Sequence, residues 1–283
     1  MITIKNEFIT AKFNTLGAEL RSLIYNGREY MWQADPQWWA QTSPLMFPIC
    51  GGLADDEYEF GGKTYTLKKH GYAKLSEFEV ECQSDTSVTF LLKSNEESRK
   101  QFPFEYELRL IYTLVGKQLQ VRNEVKNVGD DTMYFSIGSH EAYATPEGIE
   151  EYELVFPQKE KLYAFGLNGN LIGKERTLIL DNADRLPLNK EYFSIDALVF
   201  PEIQSRSVIL QKRDGSVAVR VEFDGFFNLM VWQKCGAPYI CVEPWNGAPD
   251  FEGQGKDFTK KIGIQQVGAN STYVRTHNIE ILK

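Results

Sequence analysis

Apolar and polar positions alternate along much of this chain. Leu119, Val121 and Val125 alternate with Gln120, Arg122, Glu124 and Lys126. Val217, Val219 and Val221 alternate with Ser216, Ala218, Arg220 and Glu222. A period of two sends successive side chains to opposite faces, so these runs predict strands with one buried face. Dipeptides that tolerate positive φ punctuate the pattern: Asn26-Gly27, Gly61-Gly62, Asn168-Gly169 and Asp214-Gly215. Each predicts a tight hairpin. Helical spacing is scarce, and only the polar stretch 95–100 predicts a short helix. The expected fold class is all-β, with antiparallel sheets packed face to face. No Pro/Ser-rich linker, shift of composition or propeller-type repeat interrupts the 283 residues. A single domain over 1–283 is therefore expected.

One run breaks the alternation. Tyr239, Ile240, Cys241 and Val242 are continuously apolar and predict a strand buried on both faces. Its end is expected at Glu243, directly before Pro244 and Trp245. Burying an ionised carboxylate is costly unless it is paired or hydrogen-bonded. Glu243 is thus either a structural partner of an Arg or Lys, or part of a site. Trp245 is placed in a turn, where a site role and a core role weigh equally; Trp232, inside "NLMVWQ", is expected to fill the core. Irregular stretches at 38–56, 145–151 and 246–256 supply the long loops on which sites commonly lie. Trp32, Trp38 and Trp39 add flat apolar faces of the kind that meet the C–H faces of sugars.

Histidine is rare, with only His70, His140 and His277 present. His70, in "KKHGYAK", and His140, in "YFSIGSHEAYA", each follow a predicted strand and neighbour a Gly and a Tyr. His277 lies in the last predicted strand and is expected to have no chemical task. No two histidines are spaced to bind a metal from one element, no glycine-rich phosphate loop precedes a helix, and no G-x-S-x-G elbow occurs. The net charge of −8 disfavours nucleic acid and anionic membrane surfaces as partners. Cys50, Cys82, Cys235 and Cys241 form no C-x-x-C pair and predict reduced thiols. With no signal-like N-terminal segment and no apolar run long enough to span a bilayer, a cytoplasmic protein is expected.

In order along the chain, "SPLMFPICGGL" at 43–53, "KKHGYA" at 68–73, "FPFEYELRLIYTL" at 102–114, "MYFSIGSHEAYA" at 133–144, "DALVF" at 196–200 and "CVEPWNGAPD" at 241–250 resemble the motifs of the aldose 1-epimerase (galactose mutarotase-like) superfamily, specifically its LacX-like bacterial branch. The resemblance covers nearly the whole chain. It implies a β-supersandwich and interconversion of the α and β anomers of a free hexose. It implies Glu243 as general base, His140 as general acid, and His70 and Asp196 as holders of substrate hydroxyls, with Lys74 and Trp245 completing the binding set. No cofactor is implied, and the expected partner is a small-molecule sugar bound by a monomer or homodimer. Many relatives carry Arg where this chain has Gly52, Arg where it has Lys74, and Pro where it has Glu141. Lys offers a point charge in place of a planar fork. The other readings are a hexose-phosphate mutarotase of the same fold, with Lys68, Lys69 and Lys74 at the rim, and a non-catalytic carbohydrate-binding protein. A glycosidase pairing Glu243 with Glu141 or Asp196 ranks below these.

Overall fold

A computed structural model describes residues 1–194, 196–201 and 203–283. Strands dominate, as the alternation predicts. Tyr106–Val115 and Gln118–Asn127 bury every second residue and pair antiparallel from Tyr106↔Asn127 to Val115↔Gln118. Their inward side chains, among them Leu108, Leu110, Leu119, Val121 and Val125, join one large apolar core. Burial of each such side chain contributes roughly 1.5–3 kcal/mol. Among the described residues, fifteen strands share one antiparallel sheet, and a four-stranded sheet begins at Ile2–Lys5. No helix among the described residues is long and apolar enough to cross a membrane.

All four turn dipeptides join antiparallel neighbours. The predicted helix is Glu96–Gln101, capped by Asn95, whose side chain accepts a hydrogen bond from the Ser98 N–H at 2.9 Å.

Two local expectations need correction. The predicted strand that precedes His140, read as 133–137, is not one strand. Met133–Phe135 pairs with Gln265–Val267, whereas Ile137–Ser139 pairs with Leu45–Met46 and Tyr239–Asn246. The break falls at Ser136, whose N–H donates to the Pro48 carbonyl at 2.8 Å. Gly247 packs so closely on Ser136 that a Cβ there would approach to 2.4 Å, leaving no space for a straight strand with larger neighbours.

The strand holding Glu243 also runs further than predicted. It spans Tyr239–Asn246, so Glu243 is internal and Trp245 lies in the strand instead of a turn. Proline inside a strand ordinarily leaves a ladder bond unmade. Here Val242 donates to Glu141 at 3.1 Å, and Pro244, two residues on, faces the same neighbour. That neighbour is interrupted between Ile137–Ser139 and Ala142–Ala144. The missing N–H therefore faces Ser139, at the end of Ile137–Ser139, whose carbonyl accepts the Trp245 indole N–H at 3.1 Å instead; His140 and Glu141 follow in the gap.

Candidate active site

The interrupted strand sets up the site. Ala142 is opposite Cys241 in the antiparallel register, which places Glu141 opposite Val242 and His140 opposite Glu243. Alternation sends His140 and Glu243 to one face and Glu141 to the other. The first face opens on a cavity of about 410 Å³. All six sequence-predicted site residues, Glu243, His140, His70, Asp196, Lys74 and Trp245, line it.

His140 Nδ1 and Glu243 Oε2 are 3.4 Å apart, and neither atom has a hydrogen-bond partner. Glu243 is 1% exposed and His140 8%. Burial pushes the Glu243 carboxyl well above the usual carboxylate range, and the nearby Glu141 carboxylate pushes it further. Burial lowers the His140 imidazole to about 3. One proton therefore rests on the carboxyl while the imidazole is neutral. This arrangement needs no buried cation.

His70 is fixed by backbone. It adopts φ 69° and is followed by Gly71 at φ 66°. A Cβ on residue 71 would lie 2.3 Å from the Phe47 carbonyl oxygen, so only glycine fits that turn. The His70 N–H donates to the Gly51 carbonyl, and the Gly51 N–H donates to His70 Nδ1 at 3.1 Å. Nδ1 is thereby the acceptor, which leaves the proton on Nε2. Burial and the neighbouring His140 hold His70 well below the usual imidazole range, so it is a neutral donor.

Indoles make the walls. Trp39 lies 4.8 Å from the His140 ring, Trp232 meets it edge-on at 5.5 Å, and Trp245 meets His70 edge-on at 5.6 Å. The Trp245 N–H donates to the Ser139 carbonyl at 3.1 Å, which locks the indole. Behind Trp245 packs an apolar cluster with Met46, Cys50, Ala197 and Met230. Trp232 is thus a wall residue, contrary to the core role expected for it. Residues 228–232 are almost continuously buried, so no period separates cavity from core there. Lys234 also lines the cavity and had no sequence signal. Asp196 reaches the wall from a backbone with φ 82°.

Several expectations about charge are also resolved. A Cβ at Gly52 would lie 2.6 Å from the Asn170 Cβ, so a longer side chain has no space there. Lys68 points outward and pairs with Asp56 at 2.6 Å, whereas Lys69 and Lys74 face the cavity. Glu141 lies on the far face and cannot serve a glycosidase in this cavity. Its Oε1 lies 2.9 Å from His277 Nε2 inside the core. His277 is therefore a core residue, paired with a carboxylate.

His140, Cys241 and Glu243 bring N, S and O ligand atoms within 4.8 Å of one another, a donor set that suits zinc. Burial and the Glu243 carboxylate hold the Cys241 thiol well above its usual range. All four cysteines are free thiols.

The family model described as Aldose 1-epimerase matches residues 1–265. The curated Protein LacX of Lactococcus lactis subsp. lactis, in its plasmid and chromosomal forms, is 35% identical over 296 aligned positions covering 99% of each chain. A galactose mutarotase related enzyme from Lactobacillus acidophilus superposes with a TM-score of 0.94 at 30% identity, covering 100% of this chain and 97% of that one. A galactose mutarotase-like protein from Lactobacillus casei gives 0.94 at 29% identity, covering 99% of both.

Proposed function

The chain belongs to the aldose 1-epimerase family, a family of isomerases, and from that premise we propose that it is a mutarotase acting on a hexose by general acid/base ring opening. The observation that carries this reading is the His140–Glu243 pair, 3.4 Å apart and unpartnered, on the floor of a cavity of about 410 Å³. That volume lies within the roughly 300–1,000 Å³ of small-molecule pockets.

Ring opening removes a proton from the anomeric hydroxyl and delivers one to the ring oxygen. Rotation about C1–C2 and reclosure then give the other anomer. The pair's single proton, on Glu243 before substrate binds, first passes to His140; Glu243 then takes the hydroxyl proton while His140 gives its own to the ring oxygen, and reclosure reverses both transfers. The pair enters and leaves the cycle with the same single proton. Each positioned transfer is worth roughly 10²- to 10⁴-fold. His70 Nε2–H and the Asp196 carboxylate hold hydroxyls, and the indole of Trp245 borders the ring's apolar face. The test is polarimetry on fresh α-glucose and α-galactose. Wild type shortens the approach to equilibrium, and Glu243→Gln loses about 10³-fold or more of that acceleration. Near-normal turnover by the variant would refute the base assignment.

A further inference from the structure

The cavity carries more positive charge than an uncharged sugar requires. Three ammonium groups line it, from Lys69, Lys74 and Lys234, with the carboxyl groups of Glu243 and Asp196. Glu243 holds its proton because it is buried. His70 and His140 are neutral. Asp196 alone opposes three cations, in a chain whose net charge is −8.

The two lysines beside His70 also lack partners. Among the described residues, neither the Lys69 nor the Lys74 ammonium lies within 4.0 Å of a carboxylate. The adjacent Lys68 pairs with Asp56, and Lys234 donates to the Gln37 carbonyl at 3.2 Å. Lys74 is half-buried, and burial together with the Lys69 charge holds it below the usual lysine range. Both charges act on the His70 and His140 rings, and that of Lys69 acts on Glu243 as well. Two like charges, both half-buried in the lining of one cavity, lack a carboxylate partner among the described residues. An anion between them removes the repulsion and makes charge-assisted hydrogen bonds.

We propose that the substrate is an aldose bearing an anionic substituent, a phosphate or a carboxylate, and that Lys69 and Lys74 hold this group beside the ring being opened. This rests on the mutarotase reading and narrows its substrate class. The ammonium groups supply point charges with rotatable donors, which suit a tetrahedral phosphate as well as a planar carboxylate. A screened, cavity-lined charge pair also makes the preference depend on ionic strength.

The experiment compares enzyme-dependent anomer exchange, after subtraction of the buffer rate, for glucose, galactose, their 6-phosphates and their uronic acids. Anomeric-proton exchange NMR reads all six. The expected result is a kcat/KM at least about tenfold higher for one anionic class than for its neutral parent, falling as salt rises. A preference confined to the 6-phosphates assigns phosphate, and one shared with the uronic acids assigns either anion. Lys69→Gln and Lys74→Gln reduce the anionic-to-neutral ratio, chiefly through KM. Turnover of neutral aldoses with no anionic preference, or a ratio unmoved by both substitutions, overturns this inference and leaves the mutarotase reading standing. No turnover of any of the six overturns the reading beneath it.

Discussion

Two buried imidazole–carboxylate pairs are built on the consecutive residues His140 and Glu141, one reaching Glu243 on Tyr239–Asn246 and the other His277 on Thr272–Ile281, and they differ in setting. His277 and Glu141 meet at 2.9 Å inside the core, where His277 is 0% exposed. His140 and Glu243 stand 3.4 Å apart without a hydrogen bond and face a cavity. In the first pair the two facing atoms, His277 Nε2 and Glu141 Oε1, satisfy each other. The second leaves its proton-carrying atoms without partners. Residue type does not separate the two, because both are a His and a Glu. The separation comes from alternation: Glu141 and His140 are consecutive, so one must face the core when the other faces the cavity.

The comparison breaks most visibly through His140. His140→Asn is expected to lower kcat for anomer exchange about 10²-fold or more while KM changes less than about threefold, in steady-state polarimetry. Intact turnover with weakened affinity would move His140 to a binding role. Glu243→Gln should leave the melting temperature unchanged or higher, because it removes a buried carboxyl whose ionisation the fold opposes.

The core pair should respond in the opposite sense. His277→Ala leaves Glu141 buried without its partner and is expected to cost about 3–5 kcal/mol of stability, since breaking a buried pair strands a polar group. Denaturant titration measures this. Turnover per folded molecule should change less than about tenfold, well short of the losses expected on the cavity face.

The smallest effect concerns pH. The working state of the cavity pair carries one proton. It gains a second as pH falls toward the His140 value of about 3, and loses its only one as pH rises through the elevated Glu243 value. Activity is therefore expected to fall on both sides. Glu141 raises Glu243 through its charge, and Lys69 opposes this. Glu141→Gln removes the raising charge, so the alkaline limb should move to lower pH while the acid limb stays. An unmoved limb would show that the core pair is electrostatically silent at the site, and one that moves upward would contradict the sign assigned to Glu141.

Much of this was legible in the residues. Alternation and four turn dipeptides predicted the antiparallel sheets, and the carboxylate in an apolar strand pointed to Glu243. The motif order pointed to His70, His140 and Asp196. What the sequence concealed lies where two features overlap. Pro244 looks like a strand terminator, yet the strand passes through it, and the Ser139 carbonyl opposite it accepts the Trp245 indole N–H instead. Trp232 looks like core because its strand is buried throughout. Lys68, Lys69 and Lys74 are equivalent as letters, and only the turn through His70 and Gly71 sorts them into one solvated pair and two cavity cations.

The central claim is that Glu243 and His140 together exchange the protons of the anomeric hydroxyl and ring oxygen. The most direct measurement is exchange spectroscopy between α and β anomeric protons at equilibrium, with wild type and Glu243→Gln at equal concentration. The account predicts cross-peaks that grow with wild-type enzyme and stay at the buffer level with the variant. Equal cross-peaks from both proteins, or none from wild type with any aldose, would contradict it.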